Sequence, residues 1–207
     1  MSASSSSGKK YSPHDLVLMA LFTALMAVCA WITVPVPNIP FTLQLLAVFA
    51  SLFYLGGKKG TLSILVYLLL GELGAPVFSG FGGGPGKLLG VTGGYLLGFL
   101  FTGLIYWLIT SCFPGKNSST GKSGEKSTVK PGTFVSIGAA LAGLVLCYAF
   151  GTGWFMYIYM KNTGPIGLSS VLMMCVVPYV SPDLIKLALA WSITTVIRKA
   201  LRHKQGS

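Results

Sequence analysis

The sequence has very little charge for its length. Of 207 residues, only 9% are Asp, Glu, Lys or Arg and 53% are hydrophobic, with a mean hydropathy of +0.73. A soluble domain usually carries about 25% charged residues, so this chain cannot cover a water-facing surface in the ordinary way. The high hydrophobicity also excludes an intrinsically disordered chain. The class that remains is an all-α, polytopic membrane protein.

Acidic residues, histidines and paired cysteines are also scarce. The chain has four acidic residues, two histidines (His14 and His203) and four cysteines that form no C-x-x-C pair. Zinc sites, disulfide frameworks and acid–base clusters therefore lack their usual residues. We expect no enzyme, no catalytic residues and no metal site, and we expect the cysteines to pack as small hydrophobic side chains.

Six apolar segments are candidate membrane spans, since a helix needs roughly 20 apolar residues to cross a bilayer. They cover residues 15–34, 41–56, 60–75, 88–113, 132–160 and 183–201, and the second and third are the short ones. The first segment is longer than the core of a cleaved signal peptide, so we expect it to remain as the first helix.

The basic residues predict an orientation. The chain has 15 Lys and Arg and a formal net charge of +11. With both termini inside, twelve of these 15 lie in inside segments, and only Lys87, Lys161 and Lys186 lie outside. This excess follows the positive-inside rule and predicts six helices with cytoplasmic N- and C-termini. Anionic membrane lipid, not nucleic acid, is the partner expected for these charges.

The organisation along the chain is expected to be simple. Residues 1–14 are predicted as a cytoplasmic N-terminal tail, 15–201 as a six-helix membrane domain and 202–207 as a cytoplasmic C-terminal tail. Residues 114–132 are rich in Gly, Ser, Thr and Lys and are predicted to form a flexible cytoplasmic linker between two halves. The linker lacks the spacing of a phosphate-binding loop, so ATP binding is not expected there.

Glycine and proline concentrate in the three segments predicted to lie outside, which are residues 34–44, 71–99 and 161–186. Connectors often contain Gly and Pro without further purpose. A glycine-rich segment as long as 71–99 instead favours a folded, partly re-entrant loop, because irregular backbone at membrane depth is tolerated only inside protein or beside a cavity. Three structured outer loops on one face can enclose a small ligand.

The last predicted span begins with an ionisable pair. Ser181 is expected to cap the helix, with Pro182 at its first position. Asp183 and Lys186 are then three residues apart on one helix face. An ionisable residue at such depth suggests a functional site. The alternative is that Asp183 only complements the helix dipole and pairs with Lys186.

Four motifs stand out. They are IPFTLQ at 39–44, YLLLGELGAPVF at 67–78, GVTGGYLLGF at 90–99 and PYVSPDLIK at 178–186. Together, in this order and spacing, they resemble the BioY family, the biotin-specific substrate-binding subunits of energy-coupling factor (ECF) transporters. Val91 departs from the family pattern, which usually has Pro at that place.

The resemblance implies a high-affinity biotin-binding subunit (S component) that mediates biotin uptake across the bacterial plasma membrane. It implies a transmembrane coupling subunit and two ATPase subunits as partners that supply energy, and no cofactor besides biotin as the transported ligand. The resemblance leaves open whether the subunit also forms a homo-oligomer. An A-x-x-x-A motif on the first helix contacts the coupling subunit in this class, and here it matches Ala20 and Ala24. Packing inside the bundle is the alternative for these two residues.

Biotin offers a ureido carbonyl, two N–H donors, an apolar ring system and a carboxylate on an aliphatic chain. On the resemblance we assign Lys186 to the carboxylate, with Lys87 as the second choice, and Asp183 either to the ureido N–H groups or to orienting Lys186. The other candidates are polar groups, aromatic side chains and glycines that allow close approach: Thr42, Gln44, Thr92, Tyr67, Phe78, Tyr95, Gly93 and Gly94. Interfacial placement is the alternative for the aromatic residues, and helix packing for the glycines.

Two other functions are compatible with these residues. The same architecture can bind another small vitamin or precursor, or it can act as a solitary facilitator. A membrane enzyme is disfavoured because acid–base chemistry at the outer face would depend on Glu72 and Asp183 alone.

Overall fold

The computed structural model describes residues 11–34, 40–113 and 132–205, with side chains as far as residue 201. The described chain is mostly helical, which confirms the all-α expectation. The expectations for residues 1–10, for residues 114–131 of the linker and for the end of the C-terminal tail lie outside the described residues.

Helices account for nearly all of the regular structure in the described ranges. They are α1 (Pro13–Trp31), α2 (Gln44–Leu55), α3 (Gly57–Glu72), α4 (Pro85–Leu88), α5 (Gly93–Cys112), α6 (Thr133–Asn162), α7 (Leu168–Cys175) and α8 (Val177–Gln205). A single 3-10 turn occupies Ser79–Phe81. Two short antiparallel strands, β1 (Thr33–Val34) and β2 (Phe41–Thr42), pair between α1 and α2.

Each predicted span overlaps one of the longer helices, namely α1, α2, α3, α5, α6 and α8. Among the described residues, four stretches are long and apolar enough to cross a membrane, 13–31, 93–112, 133–162 and 168–201. The last stretch joins α7 to α8. The apolar α2 has 12 residues and α3 has 16, so both are shorter than an ordinary span. The molecule is therefore a multi-pass membrane protein by composition and helix length.

The core is built around α2 and around the α5–α6 pair. Nine of the twelve residues of α2 are buried, against α1, α3 and α8. Small residues let α5 and α6 approach closely, because a Cβ at Gly98 would lie 2.5 Å from the Cys147 sulfur and one at Gly143 would lie 2.9 Å from the Thr102 side chain. These contacts fix α6 relative to α5.

One end of the bundle collects groups that were predicted to lie inside. The Lys59 Nζ atom is 2.6 Å from the Asp15 carboxylate, which brings the α2–α3 junction to the start of α1. Arg198, near the end of α8, donates hydrogen bonds to the carbonyl oxygens of Phe53 and Tyr54 at the end of α2. The β1–β2 hairpin, residues 73–92 and the start of α8 lie at the opposite end.

The expectation for the start of the last helix is wrong. The helix α8 begins at Val177, and Pro182 lies inside it, so Ser181 is not its cap. Pro178 occupies the first turn, where the missing N–H has no intrahelical partner to lose. Pro182 then removes only the hydrogen bond to the carbonyl one turn earlier. Much of the predicted loop 161–186 is accordingly helical.

Residues 73–92 form a folded segment, as the glycine content predicted, between the end of α3 and the start of α5. The N–H of Gly84 donates to the carbonyl oxygen of Gly71 at 2.6 Å. The Trp31 indole N–H donates to the carbonyl oxygen of Pro76 at 2.8 Å, and its ring stacks on Phe81 at 5.1 Å between centroids. The end of α1 therefore anchors this segment. Its re-entrant placement in a membrane stays a prediction.

Candidate functional site

A cavity lies at the end of the bundle that carries the hairpin and residues 73–92. It holds about 730 Å³ of empty space, a figure that includes open solvent at its mouth. Its walls come from the hairpin, from residues 73–92 and from α2, α5, α6, α7 and α8. The lining residues are Pro40, Thr42, Gln44, Leu45, Phe78, Ser79, Lys87, Thr92, Tyr95, Leu96, Phe99, Leu144, Cys147, Tyr148, Cys175, Tyr179, Asp183 and Lys186.

A buried ion pair forms the α8 side of the cavity. The Lys186 Nζ atom is 2.7 Å from Asp183 Oδ1, and the two residues are only 5% and 6% exposed. Their i, i+3 spacing on α8 places both side chains on one face. The hydroxyl of Tyr148 donates to the other carboxylate oxygen, Oδ2, at 2.5 Å. The Lys186 ammonium also lies 3.9 Å from the ring centroid of Phe41 on β2, so the hairpin covers this pair.

Lys87 supplies a second cation from α4. Its aliphatic stem passes Gly82 so closely that a Cβ there would lie 2.4 Å from Lys87 Cε. The ion pairs among the described residues are Lys59–Asp15 and Lys186–Asp183, so Lys87 has no carboxylate partner in this part of the chain. Two cations and one carboxylate give the cavity wall one unit of net positive charge. The wall is therefore suited to an anionic ligand.

A hydrogen-bonded chain holds the polar residue at the start of α2. The amide nitrogen of Gln44 donates to the hydroxyl of Tyr67 at 2.7 Å, and that hydroxyl donates to the carbonyl oxygen of Val77 at 2.8 Å. Tyr67 is fully buried and does not line the cavity. It links Gln44 on α2 to the folded segment 73–92, so its contribution is to position other groups.

Most of the residues selected from the sequence meet at this cavity: Thr42, Gln44, Phe78, Lys87, Thr92, Tyr95, Asp183 and Lys186. Tyr67, Gly93 and Gly94 do not line it. A Cβ at Gly93 would lie 1.7 Å from the carbonyl oxygen of Leu88, and one at Gly94 would lie 2.3 Å from Trp154 Cβ. The close approach that each glycine permits is to neighbouring protein, in agreement with the packing alternative.

Sequence reasoning missed several cavity residues, of which Tyr148 is the most consequential. It lies within an apolar run of α6, and its partner Asp183 is 35 positions further along the chain. The available signal was that a tyrosine buried in an apolar helix usually finds a hydrogen-bond partner for its hydroxyl. The missed wall residues also include two cysteines, Cys147 and Cys175, which are free and buried.

The two alanines of the first helix lie on its outer face. Ala20 and Ala24 are both exposed, beside Leu21, which is 60% exposed. The described helices do not cover them, so the structure does not support the alternative of packing within the bundle.

The apolar bundle and its charged cavity define a multi-pass membrane protein with a candidate small-molecule site at one end. The BioY family model matches residues 3–203, and the chain belongs to the BioY family. This result confirms the resemblance seen in the four motifs.

Named relatives cover almost the whole chain. The biotin transporter BioY of Thermotoga maritima is 36% identical over 186 residues, which are 90% of this chain and 96% of the relative. The probable biotin transporter BioY of Pyrococcus horikoshii is 35% identical over 85% of this chain and 91% of the relative. A crystal structure of the S-component for biotin from an ECF-type ABC transporter matches with a TM-score of 0.72 and 24% identity, over 92% of this chain and 95% of that chain. At 24% identity, the likeness to this crystal structure shows the fold alone.

Proposed function

We propose that this chain is the high-affinity biotin-binding subunit of a biotin uptake system. The relatives that carry the family name are biotin transporters, so the chain is a transport protein and not an enzyme. The observation that carries the ligand assignment is the cavity with the buried Asp183–Lys186 pair and the cation Lys87, which has no carboxylate partner among the described residues. Apolar walls, few polar groups and one net positive charge match the chemistry of biotin.

The ureido ring is assigned to the α8 side of the cavity. Asp183 accepts hydrogen bonds from Lys186 and Tyr148, and a carboxylate has about four lone-pair sites, so it can accept ligand N–H donors in addition to these partners. Thr42, Gln44 and Thr92 line the same cavity and can donate to the ureido carbonyl. The apolar residues Leu96, Phe99 and Leu144 are suited to the ring and the aliphatic chain. Tyr95 and Phe78 add aromatic surface.

The carboxylate of the ligand is assigned to Lys87. The charge of Lys186 is already compensated by Asp183 at 2.7 Å, and separating this pair would leave a buried charge without its partner. Lys87 has no acidic partner among the described residues and lines the same cavity. This assignment reverses the order expected from the sequence, in which Lys186 came first.

The transport assembly is proposed on the ECF pattern. A transmembrane coupling subunit and two ATPase subunits would energise uptake across the bacterial plasma membrane, and this subunit requires no cofactor of its own. We propose six crossings with both termini in the cytoplasm. Four of the crossings are the long apolar stretches, and the short helices α2 and α3 are the other two. The gathering of Lys59 and Arg198 at one end of the bundle supports this topology. The exposed Ala20 and Ala24 support a docking face for the coupling subunit on α1.

Equilibrium binding of labelled biotin to the purified, detergent-solubilised protein tests the ligand assignment. Unlabelled biotin and biotin amide, which lacks the carboxylate, serve as competitors. We expect saturable, tight binding that biotin displaces far better than the amide. A folded protein that does not bind biotin would contradict the proposal and direct the search to other small vitamins or precursors. Uptake by cells that lack coupling and ATPase subunits would identify a solitary facilitator instead.

A further inference from the structure

The Asp183 carboxylate is held at both of its oxygens by groups from two helices. Lys186, on α8 itself, contacts Oδ1 at 2.7 Å, and Tyr148, on α6, donates to Oδ2 at 2.5 Å. The Lys186 contact is local, because the two residues are three positions apart on α8. The second spans 35 residues and is the contact that ties the carboxylate to α6.

Tyr148 is well placed to hold an acceptor still. Its side chain packs against both hydrophobic clusters of the molecule, the larger one that contains Leu144 and Cys147 and the smaller one that contains Phe155 and Cys175. The helix that carries it is fixed to α5 by close glycine contacts. A tyrosine has only two side-chain torsions, so a packed ring directs its hydroxyl with little freedom.

We infer that Tyr148 is a positioning residue that directs the unused lone pairs of Asp183 toward the N–H groups of the ligand. The inference rests on the proposed function, because it takes the ureido ring of biotin as the group that Asp183 recognises. Without the Tyr148 hydroxyl, Asp183 loses its hydrogen bond from α6 and keeps the Lys186 contact on its own helix. Its carboxylate can then turn, and part of the binding free energy goes into ordering it again.

Positioning has a consequence for selectivity that packing alone does not have. A fixed carboxylate favours a ligand with an N–H at the facing place and repels an isostere with a ring oxygen there, since two acceptors then face each other. A carboxylate that can turn accepts the N–H less well and avoids the oxygen more easily. Loss of Tyr148 should therefore lower the preference for the N–H ligand, whereas general damage to the cavity weakens both ligands alike.

The probes are biotin and two cyclic carbamate analogues, each with one ureido N–H replaced by a ring oxygen. Binding of each is measured on purified wild-type protein and on Tyr148→Phe. We expect wild-type protein to prefer biotin strongly over at least one carbamate. In Tyr148→Phe the preference should fall by about tenfold, the low end of the range for one hydrogen bond to a charged group.

Tyr106→Phe is the control, because Tyr106 is a tyrosine still more buried than the half-buried Tyr148 but lies outside the cavity lining. It should leave the preference unchanged. Combining Tyr148→Phe with Asp183→Asn should cost no more selectivity than Asp183→Asn alone, because Tyr148 acts through that carboxylate.

The outcomes separate the inference from the function on which it rests. If wild-type protein does not bind biotin, the proposed function fails and the inference fails with it. If wild-type protein binds biotin and Tyr148→Phe weakens biotin and carbamate equally, the inference alone is overturned. The same holds if Tyr148→Phe and Asp183→Asn reduce selectivity additively.

Discussion

The cavity contains three of the chain's few charged side chains, and their pairing determines what each can do. Asp183 and Lys186 compensate each other, whereas Lys87 has no acidic partner within the described residues. Lys87 is exposed in the structure, so a ligand carboxylate can approach its ammonium without separating the Asp183–Lys186 pair. The recognition of the acidic end of the ligand can therefore be tested separately from that of the ureido end.

Replacing Lys87 with alanine should remove carboxylate recognition. We expect biotin affinity to fall because the cation assigned to the ligand carboxylate is lost; Lys87 is exposed in the structure, so the loss should be smaller than the about 2–5 kcal/mol range for a buried charge pair. The affinity for biotin amide should change little, so the difference between biotin and the amide should nearly vanish. Competition binding measures both values. Lys161→Ala is the matched control, because Lys161 is exposed and outside the cavity lining. If the difference survives in Lys87→Ala but vanishes in Lys186→Ala, the carboxylate belongs at Lys186.

Tyr67 tests the hydrogen-bonded chain that holds Gln44. The variant Tyr67→Phe leaves the Val77 carbonyl without its donor and the Gln44 amide without its acceptor, at positions where water has little access. We expect the free energy of unfolding to fall by about 1–3 kcal/mol, together with weaker biotin binding. Thermal unfolding in detergent, with and without biotin, measures the change. Tyr157→Phe is the control because Tyr157 is 61% exposed. An equal change in both variants would contradict the positioning contribution of Tyr67.

Single residues also show which contacts could be predicted from the sequence and which could not. The Asp183–Lys186 pair was predictable, because both residues lie on one helix and their separation alone fixes a shared face. The Tyr148–Asp183 contact was not, because it depends on how α6 packs beside α8. Gly93 and Gly94 were correctly singled out as places of close approach. Only the packing of Leu88 and Trp154 shows that protein fills the space beside them.

At the level of helices, apolar length predicted where the six long helices lie, but it predicted their ends less well. The start of α8 was misplaced because two prolines, Pro178 and Pro182, both carry a helix-start signal. Which of the two prolines marks the start of α8 depends on whether residues 177–181 pack better as helix or as loop. Tyr179 is 8% exposed and packs into the smaller hydrophobic cluster, so one side of this turn is held in the core.

The α5–α6 contact depends on residues without a side chain. At Gly94 a Cβ would lie 2.3 Å from Trp154 Cβ, so Gly94→Ala must push the two helices apart. We expect Gly94→Ala to lower the melting temperature in detergent and to weaken biotin binding, because Tyr95 and Tyr148 lie on these two helices. The control is Gly153→Ala on α6, where a Cβ meets nothing within 4 Å. That change should be neutral or stabilise by up to about 1 kcal/mol through helix propensity. Equal destabilisation by the two variants would contradict this account.

The outer face of α1 carries the proposed docking surface for the coupling subunit. Leucine at Ala20 and Ala24 would fill the space that lets a second helix approach, without disturbing the cavity. We expect the Ala20→Leu, Ala24→Leu variant to bind biotin normally while uptake and co-purification with the coupling subunit fall strongly. Ala142→Leu makes the same change at an exposed alanine of α6 and should leave both intact. Normal uptake by the double variant would exclude this face as the docking surface.

The molecule as a whole has a basic end and a ligand end. The first is marked by Lys59 and Arg198, and the second by the cavity with its hairpin and folded segment. The positive-inside pattern predicted this division without any knowledge of the packing. Helix lengths alone do not predict six crossings, since α2 has only 12 residues and is buried on nearly all sides. A helix surrounded by protein need not match the thickness of the lipid.

The last prediction concerns topology: the ligand end of the molecule faces the outside of the cell. The helix α6 has 30 residues, about 45 Å at 1.5 Å per residue, so it is long enough to cross a membrane, and the proposed topology places its two ends on opposite sides. We expect Lys161→Cys, at the end of α6, to react with a membrane-impermeant maleimide in intact cells. Lys199→Cys, near the end of α8, should react only after permeabilisation. Both positions are exposed, and both variants are made in a Cys112→Ser background, because Cys112 is the exposed cysteine among the four. The background itself is the control for the three buried cysteines. Labelling of both positions in intact cells, or of Lys199→Cys alone, would contradict the orientation and place the cavity where external biotin cannot reach it directly.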